Sequence, residues 1–173
     1  MEALYRKVKG VTEVVPGYMG GTVPNPSHEE VATGNTGHVE VVKLTYDLEA
    51  VTTEEILAIF FAAHDATAQT QVIRGPGSHY HSSIFYTDES DGVANNPDNG
   101  EQVGVIHRVI ETLQATLPEG APIITNVMSA VEFYPADELH YDYYEQHKDD
   151  SYTTTIIAPT LEAVQKQFPN NFL

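Results

Sequence analysis

The sequence predicts an α+β fold, a two-layer sandwich. Two observations lead to that class: segments of strand-like alternation that follow one another, and two longer segments whose apolar residues recur at helical spacing. Neither an internal repeat nor a low-complexity run interrupts them. At 173 residues the chain is long enough to bury a core and is expected to form one domain.

The elements follow in order. Residues 2 to 8, "EALYRKV", read as a helical segment that stops at Gly10, and "VTEVVP" reads as a short strand closed by Pro16. From Gly17 to Gly37 the density of glycine, proline, asparagine and threonine predicts an ordered surface loop, and 21 residues is long for a loop without a function. "HVEVVKLTYD", 38 to 47, alternates as a strand, with Glu40 on the face of Val42, Leu44 and Tyr46. An ionised carboxylate on an apolar face needs a partner, a proton or a route to water.

Thr52 stands three residues before Glu55, a capping box, and Ile56, Ile59, Phe60 and Ala63 follow at helical spacing, so 52 to 65 is a helix. "SHYHSSIFYT", 78 to 87, reads as a strand. Residues 101 to 117 read as a second helix with Val103, Ile106, Ile110, Leu113 and Leu117 inward, and "PIITNVMSAVEFY" as another strand. A short helix is expected near "ADELHYDYYEQH", ahead of an acidic turn and a last segment, 154 to 173, to which no element is assigned.

Eight Lys and Arg against 25 Asp and Glu give a formal charge of −17, which repels phosphate backbones and anionic lipid. No nucleic-acid partner and no membrane partner are therefore expected. No apolar run reaches the roughly 18 residues of a membrane span, and no signal-type opening is present, so the expected location is the cytoplasm. The absence of cysteine removes disulfides, thiolate zinc sites and thiol nucleophiles from these residues. Chemistry falls to histidine, carboxylates, tyrosine, hydroxyls or a cofactor.

His79 and His81 lie two apart after a glycine-rich turn, and on a strand that spacing puts both rings on one face. His64 with Asp65 ends a helix and is expected to brace that turn. His107 is expected at the surface, and His140 and His147 in an acidic, tyrosine-rich helix.

Five phrases together resemble one family. "GYMGG" at 17 to 21, "PNPSHEEVATGNTGHVE" at 24 to 40, "HDAT" at 64 to 67, "GSHYHSSIFY" at 77 to 86 and "FYPADELHYDYYEQH" at 133 to 147 are similar, in this order, to the type A peptide methionine sulfoxide reductases. The resemblance covers nearly the whole chain. It implies that residues 1–173 are a single methionine sulfoxide reductase A-like domain, an elaborated ferredoxin-like α/β sandwich, here without the family's first strand. It also implies an oxidoreductase whose thiol attacks a sulfoxide sulfur. The family's "GCFWG" cysteine motif would precede Met1, and its "YC" pair is matched by Tyr152 and Thr153. Glu40 and Tyr80 match the family's acid and its second tyrosine. His28 stands where the family has the tyrosine that reaches the sulfoxide oxygen, Gly75 where it has an aspartate, and His79 and His81 where a glutamine and an arginine flank the tyrosine.

Three histidines at or beside pocket positions suggest a first shell for a divalent transition metal, Fe, Cu, Mn, Ni or Zn. The leading expectation is thus a metal-dependent oxidoreductase without a thiol, in which His28, His79 and His81 bind the metal. Glu40 is then a fourth ligand or the acid/base group. Tyr18 and Tyr80 orient a small-molecule or peptidic substrate or donate a proton, with Gly77 beside them. One geometric conflict attaches to it: strict alternation would turn Tyr80 away from both histidines, unless Gly75 and Gly77 break the strand. The alternatives are a peptide-methionine (S)-S-oxide reductase whose cysteine motif lies upstream, and a binding protein without turnover. A missing first strand would leave a sheet edge open, which leaves room for a homo-oligomer.

Overall fold

The computed structural model describes residues 1–67, 81–87 and 102–173. Strands β1 (Val11–Met19), β2 (Val39–Tyr46) and β5 (Tyr134–Pro135) form a sheet in the order β2-β1-β5. Strands β3 (Ser83–Tyr86) and β4 (Asn126–Ser129) form a parallel pair, in register from Ser83 against Asn126 to Tyr86 against Ser129. Parallel neighbours need a crossover, and helix α4 (Gln102–Gln114) lies in the connection. The other helices are α1 (Glu2–Tyr5), α2 (His28–Ala32), α3 (Thr53–Ala62), α5 (Tyr143–Gln146) and α6 (Ala158–Gln167). Mixed helices and strands, the strands in open sheets, make the α+β class that the sequence predicts.

The chain divides into two compact units. One holds Met1–Gly17, Val42–His64 and Pro135–Leu173; the other holds Tyr18–Val41 and Asp65–Tyr134. In the first, Leu4, Tyr5, Val8, Val14, Ile56, Ile59, Leu161 and Val164 lie in one apolar cluster. Helix α3 begins as its sequence predicts: the Glu55 N–H donates to Thr52 Oγ1 at 3.2 Å, and the Thr52 N–H donates to Glu55 Oε2 at 2.9 Å. Its Ile59 is fully buried. The Tyr5 hydroxyl donates to the Ile56 carbonyl at 2.9 Å inside this cluster. Burial pushes that phenol's pKa far up, so it stays a donor. At the helix end His64 Nδ1 lies 2.8 Å from the Phe60 carbonyl, the brace expected of it.

Two boundaries differ from expectation in this unit. Pro16 does not close β1, because its carbonyl still accepts from the Ala136 N–H at 2.9 Å and only its own donor is lost. The last segment is helical, with a π turn at Thr153–Ile157 running into α6. Five β-branched residues in a row, Thr153 to Ile157, obscure a helix in sequence. Pro159, with no N–H for the carbonyl four residues back, gives the wider turn a cause.

In the second unit α4 buries Ile106, with Val103, Ile110, Leu113 and Leu117 half-buried as predicted, and Val105 is buried as well. The side chain of Gln114 clasps the chain that follows: its Oε1 accepts from the Ile123 N–H at 2.7 Å. Of the predicted strand 78 to 87, residues 78–80 lie outside the described residues, and β3 runs Ser83–Tyr86. Along β2 the alternation holds from Val42 to Tyr46, with Val42, Leu44 and Tyr46 half-buried and Lys43 and Thr45 exposed, while Val39 is buried and Glu40 and Val41 are half-buried.

Candidate active site

The polar loop from Gly20 to Glu40, all within the second unit, is built around His38. Its ring is 3% exposed and makes two hydrogen bonds to backbone. The Gly21 N–H donates to Nδ1 at 3.0 Å, so Nδ1 carries no hydrogen and Nε2 does; that nitrogen donates to the Val23 carbonyl at 2.8 Å. Thr36 closes the same loop, its carbonyl accepting from the Thr22 N–H at 3.0 Å and its hydroxyl from the His38 N–H at 3.2 Å. Gly21 is required here because any Cβ would overlap the His38 ring and backbone nitrogen. Gly20 has φ +90°, and a Cβ there would come within 2.9 Å of the Phe85 ring. Ser83 lies on the same face of β3 as Phe85, and its hydroxyl is buried with no hydrogen bond among the described residues.

The sequence candidates fall around this loop. Tyr18, in β1, is 4% exposed. His28 is the first residue of α2, whose start is fixed by a capping box: the Glu30 N–H donates to Ser27 Oγ, and the Ser27 N–H donates to Glu30 Oε2 at 2.8 Å. Glu40 is the second residue of β2. Its Oε1 is buried and accepts no well-formed hydrogen bond among the described residues, yet His28 Nδ1 lies 3.5 Å from it. The rest of the pair is open to water, the two side chains being 39% and 31% exposed. His81 is half-buried just ahead of β3, outside the regular pairing, so the alternation argument does not govern its ring. Gly77, His79 and Tyr80, like Gly75, lie outside the described residues.

Sequence reasoning brought His28 and Glu40 forward and the structure sets them side by side. It passed over His38 and Phe85. The phrases "GYMGG" and "TGHVE" hold the signal for His38, since two adjacent glycines mark a close approach and His38 is what approaches. Phe85 carries no such mark.

Chemically the pair offers a carboxyl group with one shielded and one more open side, and an imidazole able to donate to it. That set can bind and protonate an acceptor oxygen. A family model described as peptide methionine sulfoxide reductase matches residues 1–172. The peptide methionine sulfoxide reductase MsrA of Sulfolobus acidocaldarius is 38% identical over 169 residues, 98% of this chain and 89% of that protein. The MsrA of Thermus thermophilus is 38% identical over 167 residues, 96% of this chain and 88% of its own length. Among solved structures, methionine sulfoxide reductase A of Corynebacterium diphtheriae superposes with a TM-score of 0.69 at 26% identity, covering 85% of this chain and 69% of that one.

The fold is that of an oxidoreductase family of α+β architecture. The chain belongs to the peptide methionine sulfoxide reductase family.

That membership corrects two expectations. The metal-dependent oxidoreductase is overturned, because the matched family and relatives are peptide methionine sulfoxide reductases, whose chemistry the resemblance assigns to a thiol. The divalent metal held by His28, His79 and His81 falls with it. Among the described residues no three His, Asp or Glu side chains are grouped to hold an ion, and the near nitrogen of His28 faces the Glu40 carboxyl. Among the described residues no helix is long and apolar enough to cross a membrane.

Proposed function

We propose that this chain binds a methionine sulfoxide side chain carried on a peptide and, with a thiol, takes part in its reduction to methionine. The observation that supports this best is the divided carboxyl group of Glu40 in a chain of this family: Oε1 is shielded beside His28, while the side chain as a whole stays 31% exposed and so open to a ligand.

The reaction consumes protons. A sulfoxide and two thiols become a sulfide, a disulfide and water: the sulfur–oxygen bond breaks, a sulfur–sulfur bond forms, and the oxygen leaves as water after taking two protons. A carboxyl O–H beside the sulfoxide oxygen supplies the first of them and makes the sulfur more electrophilic for attack by the thiol. Glu40 is assigned that role. Tyr18, Tyr80 and Gly77 are assigned to binding the substrate. The 173 residues contain no cysteine, so the thiol comes from outside them.

The test is a titration of the purified chain with N-acetyl-methionine S-sulfoxide methylamide, its R epimer and the sulfide. The S epimer is expected to bind tighter than either of the others, by on the order of tenfold. Turnover is read with excess dithiothreitol, on the 173 residues and on the chain extended by any in-frame codons ahead of residue 1. Glu40→Gln is expected to lower that turnover by roughly a hundredfold or more, the usual worth of a positioned acid. Equal binding of both epimers and the sulfide would sink the proposal.

A further inference from the structure

Resting on the sulfoxide reading, we infer that His28 is a positioning residue that holds the inner oxygen of Glu40 and so aims the outer oxygen at the substrate. Three observations carry this. The capping box at Ser27 pins the first turn of α2, and with it the backbone of His28. His28 Nδ1 lies 3.5 Å from Glu40 Oε1, a few tenths of an ångström beyond the usual N–H···O range of about 2.7 to 3.2 Å. That oxygen is shielded from water and takes no hydrogen bond among the described residues, while the Glu40 side chain as a whole stays 31% exposed.

The carboxyl group is therefore divided. Among the described residues its inner oxygen has one donor nearby, the His28 imidazole at 3.5 Å, and an inner oxygen so anchored fixes the direction of the outer one. A sulfoxide oxygen is an acceptor, so it meets the outer O–H; a sulfide has no such oxygen and gains nothing from the arrangement. His28 thereby tunes the choice of substrate toward the oxidised side chain without touching it. The nitrogen that carries the hydrogen must be Nδ1, the opposite of His38 in the same loop, where Nδ1 accepts from Gly21.

The first test needs no ligand. Long-range nitrogen–proton spectra of the neutral His28 ring should show the hydrogen on Nδ1 in the wild-type chain, and on Nε2 in Glu40→Ala. A bare Nδ1 in the wild type overturns the inference. The second test measures affinity for N-acetyl-methionine S-sulfoxide methylamide and for the sulfide. His28→Ala should weaken sulfoxide binding by about tenfold, the worth of one hydrogen bond to a charged or polarised group, and leave sulfide binding unchanged. His28→Asn, which can present an N–H near the place of Nδ1, should recover most of the loss. Equal sulfoxide affinity in His28→Ala and wild type overturns the inference alone. A wild-type chain that binds neither compound overturns the sulfoxide reading, while the ring tautomer still decides whether His28 holds Glu40.

Discussion

Around Ile59 the chain is held by apolar side chains packed against one another, whereas the loop from Gly20 to Glu40 is held by a ring and a handful of backbone hydrogen bonds. In the first region the forces are non-directional, and a lost methyl group costs in proportion to the space it leaves. In the second they are directional. His38 satisfies two backbone groups with two ring nitrogens, one accepting and one donating, and Gly21 must lack a side chain for the ring to be there at all. Packing of this kind tolerates graded change, while a polar brace of this kind either forms or does not. The candidate site sits on the brace, where a small displacement changes chemistry before it changes folding.

The difference can be probed first on the apolar side. Ile59→Ala removes a fully buried side chain from the centre of its cluster and should cost about 2–5 kcal/mol of stability, read from urea unfolding. Below the shifted midpoint the affinity for the S-sulfoxide should match that of the wild type. A parallel loss of affinity would show that the two regions are not separable and would break the contrast.

A smaller effect on stability with a larger one on binding is expected from Gly21→Ala. Its Cβ would overlap the His38 backbone and ring, and the required shift should cost about 1–3 kcal/mol. The Gly21 N–H would lose its acceptor, so its amide exchange should accelerate and sulfoxide binding should fall. An alanine variant with a protected residue-21 amide and unchanged affinity would remove the brace from the argument.

The same contrast explains what could be read from the sequence. Helix α3 was legible because its capping box and the spacing of Ile56, Ile59 and Phe60 are local patterns with local causes. Strand β2 was legible for the same reason, and so was the place of Glu40 on it. The helix at the C-terminal end was not, because a β-branched run and Pro159 point away from a helix that tertiary packing of Leu161 and Val164 then enforces. The pairing of His28 with Glu40 spans a loop and two elements, so no periodicity announces it; only the family resemblance brought both to one site. The histidine spacing misled because spacing in sequence does not fix convergence: His81 lies ahead of β3, outside its regular pairing, and His79 lies outside the described residues. His38 went unweighed because a histidine that serves backbone groups looks in sequence like any other.

The smallest expected effect concerns Glu55, where a polar brace sits at the edge of the apolar cluster. The Thr52 N–H, the Asn171 amide at 2.7 Å and the Thr52 hydroxyl all donate to its carboxylate, and these bonds hold its pKa below the ordinary 4.5 against the opposing effect of burial. The folded value thus lies below the unfolded one. Its contribution is therefore complete above the unfolded pKa and is lost as pH falls through the folded one. The group is largely open to solvent, so the contribution is no more than about 1 kcal/mol. With a formal charge of −17, acid also relieves repulsion across the whole chain, and wild-type stability alone would not isolate the effect. Comparison with Glu55→Gln does, since glutamine keeps the capping geometry and loses the charge. The stability difference between the two chains, measured by urea unfolding, should be greatest near neutrality and shrink toward zero below pH of about 4. A difference that stays constant across that range would mean that the Thr52 and Asn171 bonds are not made to the ionised form, and that this edge of the core is held by packing after all.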